Sequence, residues 1–267
     1  MSIQVLVATV DKTDHTLPER MNLRADALIG NQCGRDEREE FSFDGEYAVE
    51  WLHAADRGVG RNRNRLLEAA EAEICLFADD DVTYADGAIQ QVTEAFDKNP
   101  KADVMIFGMD VTKDGQVIRR VRPPAGRLHT WNCLKYGTYC VAVRRSRIIE
   151  KQITFSEWFG GGCPYGSGED SLFLLDCLRN RLRIYGCDVV LGTCAKDTSS
   201  WFTGYNEKYY YDKGAWLACA FPRTKHLLKA YFIRQGKRRY PEGKHYIHHE
   251  INRGIRGFGE KIPYSED

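Results

Sequence analysis

The sequence predicts an α/β fold: a mostly parallel nucleotide-binding sheet flanked by helices, with a helical, basic C-terminal extension. Three observations predict it. Short apolar runs alternate with helical patterns up to Asp110, which is the signature of strand–helix–strand units. Polar clusters follow the ends of several of those runs: Thr9 and Asp11, Asn31 and Gln32, and Asp79 to Asp81. From Tyr205 onward the chain turns aromatic and basic. A catalytic domain over residues 1–205 and an extension over 206–267 are expected.

The elements follow in order. Ile3 to Val10 is an apolar run that opens as a buried strand, and Asp26 to Gln32 (DALIGNQ) is a second strand ending in polar residues. Phe41 to His53 contains FDGEY, a turn between short extended pieces. Arg61 to Ala72 has helical spacing, with Leu66, Leu67 and Ala70 on one side. Glu73 to Ala78 is a strand that stops at three aspartates. Asp86 to Asn99 is a helix, with Ile89, Val92 and Phe96 in phase and Pro100 ending it. Ala102 to Met109 is a buried strand. GQVIRRV and GTYCVAVRR read as strands, and FGGGCPYGSG is a glycine-rich loop. Glu169 to Arg179 is a helix, and Leu182 to Leu191 a strand. The remainder is helical, broken at Pro222 and Pro241. There is no internal repeat.

The 267 residues are 43% hydrophobic and 28% charged, ordinary values for a soluble globular protein. A chain this long buries roughly 70–75% of its unfolded surface and needs no disulfides. Nine cysteines without a CxxC or zinc-type spacing read as reduced, mostly buried thiols. MSIQVLVATV has no basic leader, and no run approaches the ~20 apolar residues of a membrane span. A cytoplasmic protein is expected. The net charge is zero, but between Phe221 and Phe258 ten basic residues face only Glu242 and Glu250, a net +8. Such asymmetry points to a surface partner for the tail.

Four motifs carry chemistry. CLFADDDV places three carboxylates at the end of a buried strand, where they repel one another and stay ionised most easily around a divalent cation. Asp79 and Asp81, two apart, face the same way in extended chain. The plainer alternative is that Asp81 caps the following helix. GVGRNRNR puts three arginines at a helix start, an anion or nucleotide site, or simply a solvated basic turn. In YGSGEDSLFLLDCL a glycine-rich loop delivers Glu169 and Asp170 to the first turn of an apolar helix. The helix dipole favours ionised acids there, and an ionised acid can serve as general base; N-capping alone is the alternative. SSWFTGYNEKYYYDKG sets Trp201, Phe202 and Tyr205 about a glycine, rings that stack on sugars or fill a core.

Taken in order, these motifs resemble the family 2 glycosyltransferases, and more narrowly bacterial members encoded with capsule and other surface-polysaccharide genes. The matching stretches are VATV, DALIGNQC, RGVGRNRNRLLEAAEAEICLFADDDV, GSGEDSLFLLDCLRNRLRIYG and SSWFTGYNEKYYYDKGA. The resemblance implies a GT-A fold. It places a uridine-type nucleotide against Thr9, Asn31 and Gln32, and the arginine of the "RN" helix start on Arg63. The DxD motif falls on Asp79, Asp80 and Asp81, with Asp81 the direct metal ligand and Asp79 near the ribose or a metal-bound water. The "ED" motif falls on Glu169 and Asp170, with Asp170 the catalytic base. Residues 123–140 match nothing in the family, and no histidine supplies a third metal ligand; Lys196 to Asp197 is the place to look for one.

The expected enzyme is metal-dependent, using Mn²⁺ or Mg²⁺. It moves a sugar from a nucleotide-sugar donor, a UDP-sugar by the resemblance, to a hydroxyl of a glycan or lipid-linked acceptor, with inversion. Trp158 and Trp201 are expected to position the acceptor, and the glycines of residues 160–168 to let their loop order over the donor. The basic tail is expected at the inner face of the membrane, against a soluble or dimer-forming helix as the alternative; an oligomer stays open. Nucleic acid is not expected, since no recognised module accompanies the charge. A sugar-phosphate nucleotidyltransferase would need a glycine-rich basic loop after the first strand, where TVDKTDHTLPER stands. A non-catalytic sugar- or nucleotide-binding protein would have little use for both acidic motifs.

Overall fold

The structure is a computed structural model, and it describes residues 1–196, 204–239 and 244–265. Contacts divide the chain into two units, Met1–Phe155 with Asp170–Thr198, and Ser156–Glu169 with Ser199–Asp267.

In the first unit the order is β1 (Ile3–Val10), α1 (Leu17–Arg20), β2 (Asp26–Gln32), β3 (Glu37–Phe43), β4 (Tyr47–Ala54), α2 (Val59–Ala69) and β5 (Ile74–Asp79). There follow β6 (Val82–Tyr84), α3 (Ala88–Lys98), β7 (Val104–Lys113), β8 (Gln116–Val121), β9 (Gly126–Arg127), α4 (Thr130–Cys133), β10 (Val141–Arg144), α5 (Arg145–Glu150), α6 (Glu169–Arg179) and β11 (Ile184–Ala195). They build one sheet in the order β3-β4-β2-β1-β5-β10-β7-β11-β6, with β8 on β7 and β9 on β11.

The α/β class, a large sheet flanked by helices, is the one expected, but the sheet is mixed rather than mostly parallel, because hairpins and short return strands add antiparallel pairings. The parallel part is β4-β2-β1-β5 together with β7-β11, while β3, β6, β8, β9 and β10 pair antiparallel. The β3–β4 hairpin turns at Asp44 and Gly45, both at positive φ (56° and 69°), the Asp-Gly turn that matches strand twist. Of GTYCVAVRR only Val141–Arg144 is strand; Thr138–Cys140 forms a 3₁₀ turn, and Arg145 starts α5. The short helices α4 and α5 have no counterpart in the sequence pattern.

The core runs under the sheet's parallel half. Val5, Leu6, Val7, Ile74, Leu76 and Phe77 are fully buried. Helix α2 approaches β2 closely: Asn62 Nδ2 donates to the Gly30 carbonyl at 2.7 Å. A Cβ at Gly30 would lie 2.1 Å from Asn62 Oδ1, so this position has no room for a side chain. The cysteines are free thiols, with Cys75, Cys133, Cys140, Cys177 and Cys194 buried.

The second unit holds α7 (Glu207–Ala220), α8 (Lys225–Arg239) and α9 (Lys244–Glu260), as well as the glycine-rich loop. The expected boundary between 205 and 206 falls inside it. Helices α7 and α9 meet through glycines, since a Cβ on Gly214 would sit 2.2 Å from the Ile251 carbonyl oxygen and one on Gly254 1.9 Å from that of Tyr211. The loop is anchored here. Phe159 and Tyr165 are fully buried and stack at 4.8 Å, and the Gly166 amide donates to Asp212 Oδ2 at 2.9 Å. The break expected at Pro222 separates α7 from α8; the one at Pro241 lies outside the described residues. Among the described residues no helix is long and apolar enough to cross a membrane.

Candidate active site

Strand register decides what meets here. Parallel pairing sets Thr9 opposite Asn31 and Val10 opposite Gln32, while Ala8 stands opposite Asp79. The carboxyl ends of β1, β2 and β5 therefore finish level, where ligands of α/β sheets bind.

At this edge each aspartate of the DxD run has a different environment. Asp79 Oδ1 receives Arg63 Nη2 at 2.6 Å. Asp80 Oδ2 accepts the Thr9 hydroxyl at 2.5 Å and pairs with Lys12 Nζ at 2.9 Å. Asp81 makes no ion pair among the described residues; the Cys194 thiol donates to its Oδ1 at 3.4 Å. Burial pushes the Asp81 carboxyl up to about 6, and the charges of Asp79 and Asp80 add to that.

Asn31 and Gln32 are buried and engaged within the protein. Asn31 holds both polar atoms of the Lys12 backbone, at 3.1 and 2.8 Å. Gln32 Oε1 accepts the Gly58 amide at 2.6 Å, at the start of α2. These two side chains shape the turn after β1 and the entry to α2.

Arg63 is 3% exposed, an unusual place for a guanidinium without partners. Its Nη2 reaches Asp79, and its Nη1 donates to Asp170 Oδ1 at 3.1 Å. Its flat face lies over the Phe155 ring, 5.5 Å from the centroid. Phe155 stacks in turn on Phe173 of α6 at 4.1 Å. Asn64 fixes Phe155 by donating to its carbonyl at 3.0 Å and accepting its amide at 2.7 Å. One apolar stack thus locates both the arginine and the helix that carries Asp170.

Asp170 opens α6. Oδ1 accepts Arg63 and, in a short contact, the Thr138 hydroxyl. Burial raises the Asp170 carboxyl above its usual range; Arg63 and Thr138 pull it back, and Asp79 pushes it up again. The Thr138 amide also hydrogen-bonds the carboxylate, so Arg63 and Thr138 together orient it.

Thr9, Arg63, Asp79, Asp80, Asp81 and Asp170 are all in the first unit, with Arg63 joining the two acidic motifs. Glu169, whose Oε2 accepts the Gly168 amide at 3.1 Å, falls in the second unit, as does Trp158, 42% exposed. Trp201 and Asp197 lie outside the described residues. Lys12, Asn64, Thr138 and Cys194 are contributors that the motifs did not indicate. A lysine just past the first strand was the one visible signal; Thr138 stands in the segment that resembled nothing.

Among the described residues no three histidine, cysteine or acidic side chains are arranged as a cation cage. The donor set nevertheless suits a hard cation completed by phosphate oxygens. Arg63 and Lys12 neutralise Asp79 and Asp80, while Asp81 has no ion pair among the described residues and a carboxyl that burial pushes up.

The sequence model described as Glycosyl transferase family 2 matches residues 39–157. The matched segment includes Arg63 and Asp79–Asp81 and ends before Asp170. No curated protein matches the chain. Among solved structures, S. aureus TarS 1–349 in complex with UDP-GlcNAc is similar with a TM-score of 0.63 and 15% identity, over 100% of this chain and 94% of that one. S. aureus TarS 1–349 without that ligand gives a TM-score of 0.58 and 18% identity over 82% of this chain. S. aureus TarS gives a TM-score of 0.57 at 18% identity, again over 82% of this chain. The chain spans 65% and 39% of the length of those last two. At such identities the likeness shows the fold, a GT-A-type sheet flanked by helices.

Proposed function

We propose that this protein transfers a sugar from a nucleotide-sugar donor to an acceptor hydroxyl by single displacement with inversion. The observation that carries the reading is the shared guanidinium: Arg63 bridges Asp79 at the strand edge and Asp170 at the helix start. Two acidic groups far apart in sequence thereby serve one centre. The family 2 match over residues 39–157 supports the reaction class. A protein of similar fold, S. aureus TarS, has been solved with UDP-GlcNAc, which favours a uridine diphosphate sugar as donor.

In this reading Thr9, Lys12, Asp79 and Asp80 face the nucleotide, with Asn31 and Gln32 holding the loop against it. Asp81, with Asp79, would hold Mn²⁺ or Mg²⁺; when bound, such an ion supplies positive charge beside the departing diphosphate. The Asp170 carboxylate accepts the proton of the acceptor hydroxyl. The acceptor oxygen forms its bond to the anomeric carbon from the face opposite the leaving group. The bond from that carbon to the diphosphate oxygen breaks, and the nucleoside diphosphate departs with the electron pair. Arg63 keeps the base ionised and aimed, because its charge offsets the burial that disfavours the carboxylate.

Glu169 supports the start of α6, while Trp158 and Trp201 supply rings for the acceptor. That acceptor is a glycan, free or lipid-linked, consistent with surface-polysaccharide synthesis at the inner face of a bacterial membrane.

The test uses Asp170→Asn with a radiolabelled UDP-sugar panel. Transfer should fall by about 10²–10⁴ while donor binding persists. Transfer within a few-fold of wild type would remove Asp170 from the role of base.

A further inference from the structure

We infer that the outward face of α8 is a docking surface for an anionic lipid bilayer. The chain has no acidic residue from Phe221 to Pro241. Within that stretch α8 has two sides. One packs inward: Phe232 meets Trp216 at 5.9 Å, Gly236 is buried against the Tyr210 ring, and Lys229 Nζ donates to Asn252 Oδ1 at 2.9 Å. The opposite side is open. Leu227 is 77% exposed and Tyr231 57%, and they stand one helical turn apart. Arg234, Lys237 and Arg238 are exposed around them, at spacings of three, four, seven and eleven residues that keep all five on one face, and Arg223 is exposed in the turn before the helix.

Single exposed apolar residues are ordinary on soluble proteins. Here the two form a small apolar centre flanked by three cations of the helix and a fourth in the turn before it, with no acid on the helix. That is the composition of a helix that lies in the headgroup region, rings and aliphatic carbons reaching toward the acyl boundary and charges on phosphates. A polyanion such as RNA would use the cations and leave Leu227 and Tyr231 in water. A second copy of the same face would set like charges against each other. The lipid surface uses every group present. The inference rests on the transfer reading only in what it adds there, a bilayer that would present a lipid-linked acceptor. Binding is measurable without any activity.

The experiment is co-sedimentation of the full chain with vesicles of phosphatidylcholine alone and with phosphatidylglycerol added. Binding should require phosphatidylglycerol and fade with salt. Arg234→Gln and Lys237→Gln should each weaken it about fivefold. The double variant Leu227→Ser, Tyr231→Ser should also release the protein while leaving the charge untouched. Circular dichroism of each variant should match wild type, since all four positions face solvent. Donor hydrolysis without vesicles should be unchanged, so that a failure here is separable from a failure of the transfer reading. Equal binding to both vesicle types, or no binding, overturns the inference. Full binding by the Leu227/Tyr231 double variant also overturns it, and points to a charge-only partner.

Discussion

The Arg63 guanidinium donates to Oδ1 of Asp170 at 3.1 Å, from a side chain with only 4% of its surface in contact with solvent. A buried cation held this way leaves two unbalanced acids when it is removed, because Asp79 depends on it as well. Arg63→Met is therefore expected to cost stability of about 3–5 kcal/mol. Transfer should fall at least as far as the loss of a general base, about 10²-fold. Urea denaturation and initial rates check the two effects. A stable but inactive Arg63→Lys would show that a point charge cannot replace the two-armed geometry.

Thr138 reaches the same oxygen of Asp170. Its hydroxyl favours the ionised carboxylate, so Thr138→Val should raise the base further above its ordinary range. Activity that needs the carboxylate rises with pH through its apparent pKa. The acid limb of the kcat profile should accordingly move to higher pH in the variant, with little change on the alkaline side. A uniform drop at all pH values would mean that Thr138 only supports packing.

Removal of divalent cations should abolish transfer. Asp81 is the carboxyl without an ion pair among the described residues, so Asp81→Asn should raise the metal concentration needed for half-maximal rate, by tenfold or more if one charge-assisted contact of about 1.4 kcal/mol is lost. Titration of EDTA-treated enzyme with Mn²⁺ and Mg²⁺ gives the answer. Undiminished transfer in EDTA would exclude a cation at this site.

Away from the site, Asp103 ties the start of β7 to its surroundings. It accepts the Arg183 amide at 2.8 Å and the Arg183 and Arg147 side chains at 3.2 Å each. Burial pushes its carboxyl up, but the Arg183 bonds and the Arg147 bond outweigh this and hold it below the usual range. A carboxylate depressed in the folded state stabilises the fold above its unfolded pKa, about 3.9, and loses that contribution as pH falls through the lower folded value. Asp103→Ala should cost about 3 kcal/mol at neutral pH. The gap to wild type should narrow below about pH 4. Denaturant melts at both pH values test this; an equal gap would rule out the charge as its source.

Much of the fold was legible because its signals are local. The apolar strands β1, β2, β5 and β7 and the helix phases of α2, α3 and α6 are written in residue spacing. The three aspartates at the end of β5 announced a charged site for the same reason: like charges side by side need something external to hold them. What the sequence could not show were partners across the fold. Arg63 was visible as a basic residue at a helix start, but its two carboxylates lie 16 and 107 residues away. Thr138 is a hydroxyl in a stretch with no pattern, and only the chain path brings it to Asp170. Helices α4 and α5, four and six residues long, are too short to hold a period. The antiparallel entry of β10 depends on pairing with β5 and β7, which alternation alone does not specify.

The tight seat of Asn62 against Gly30 has a consequence for altering this protein. Arg63 is the next residue along α2, so its reach to both acids depends on a gap between the Gly30 backbone and the Asn62 side chain that admits no methyl group. Gly30→Ala would act as a shim, lifting the helix and detuning both carboxylate contacts together, although residue 30 touches neither. Efforts to retarget the donor through loops near α2 must leave this tolerance intact, or lose chemistry for reasons invisible in the pocket itself.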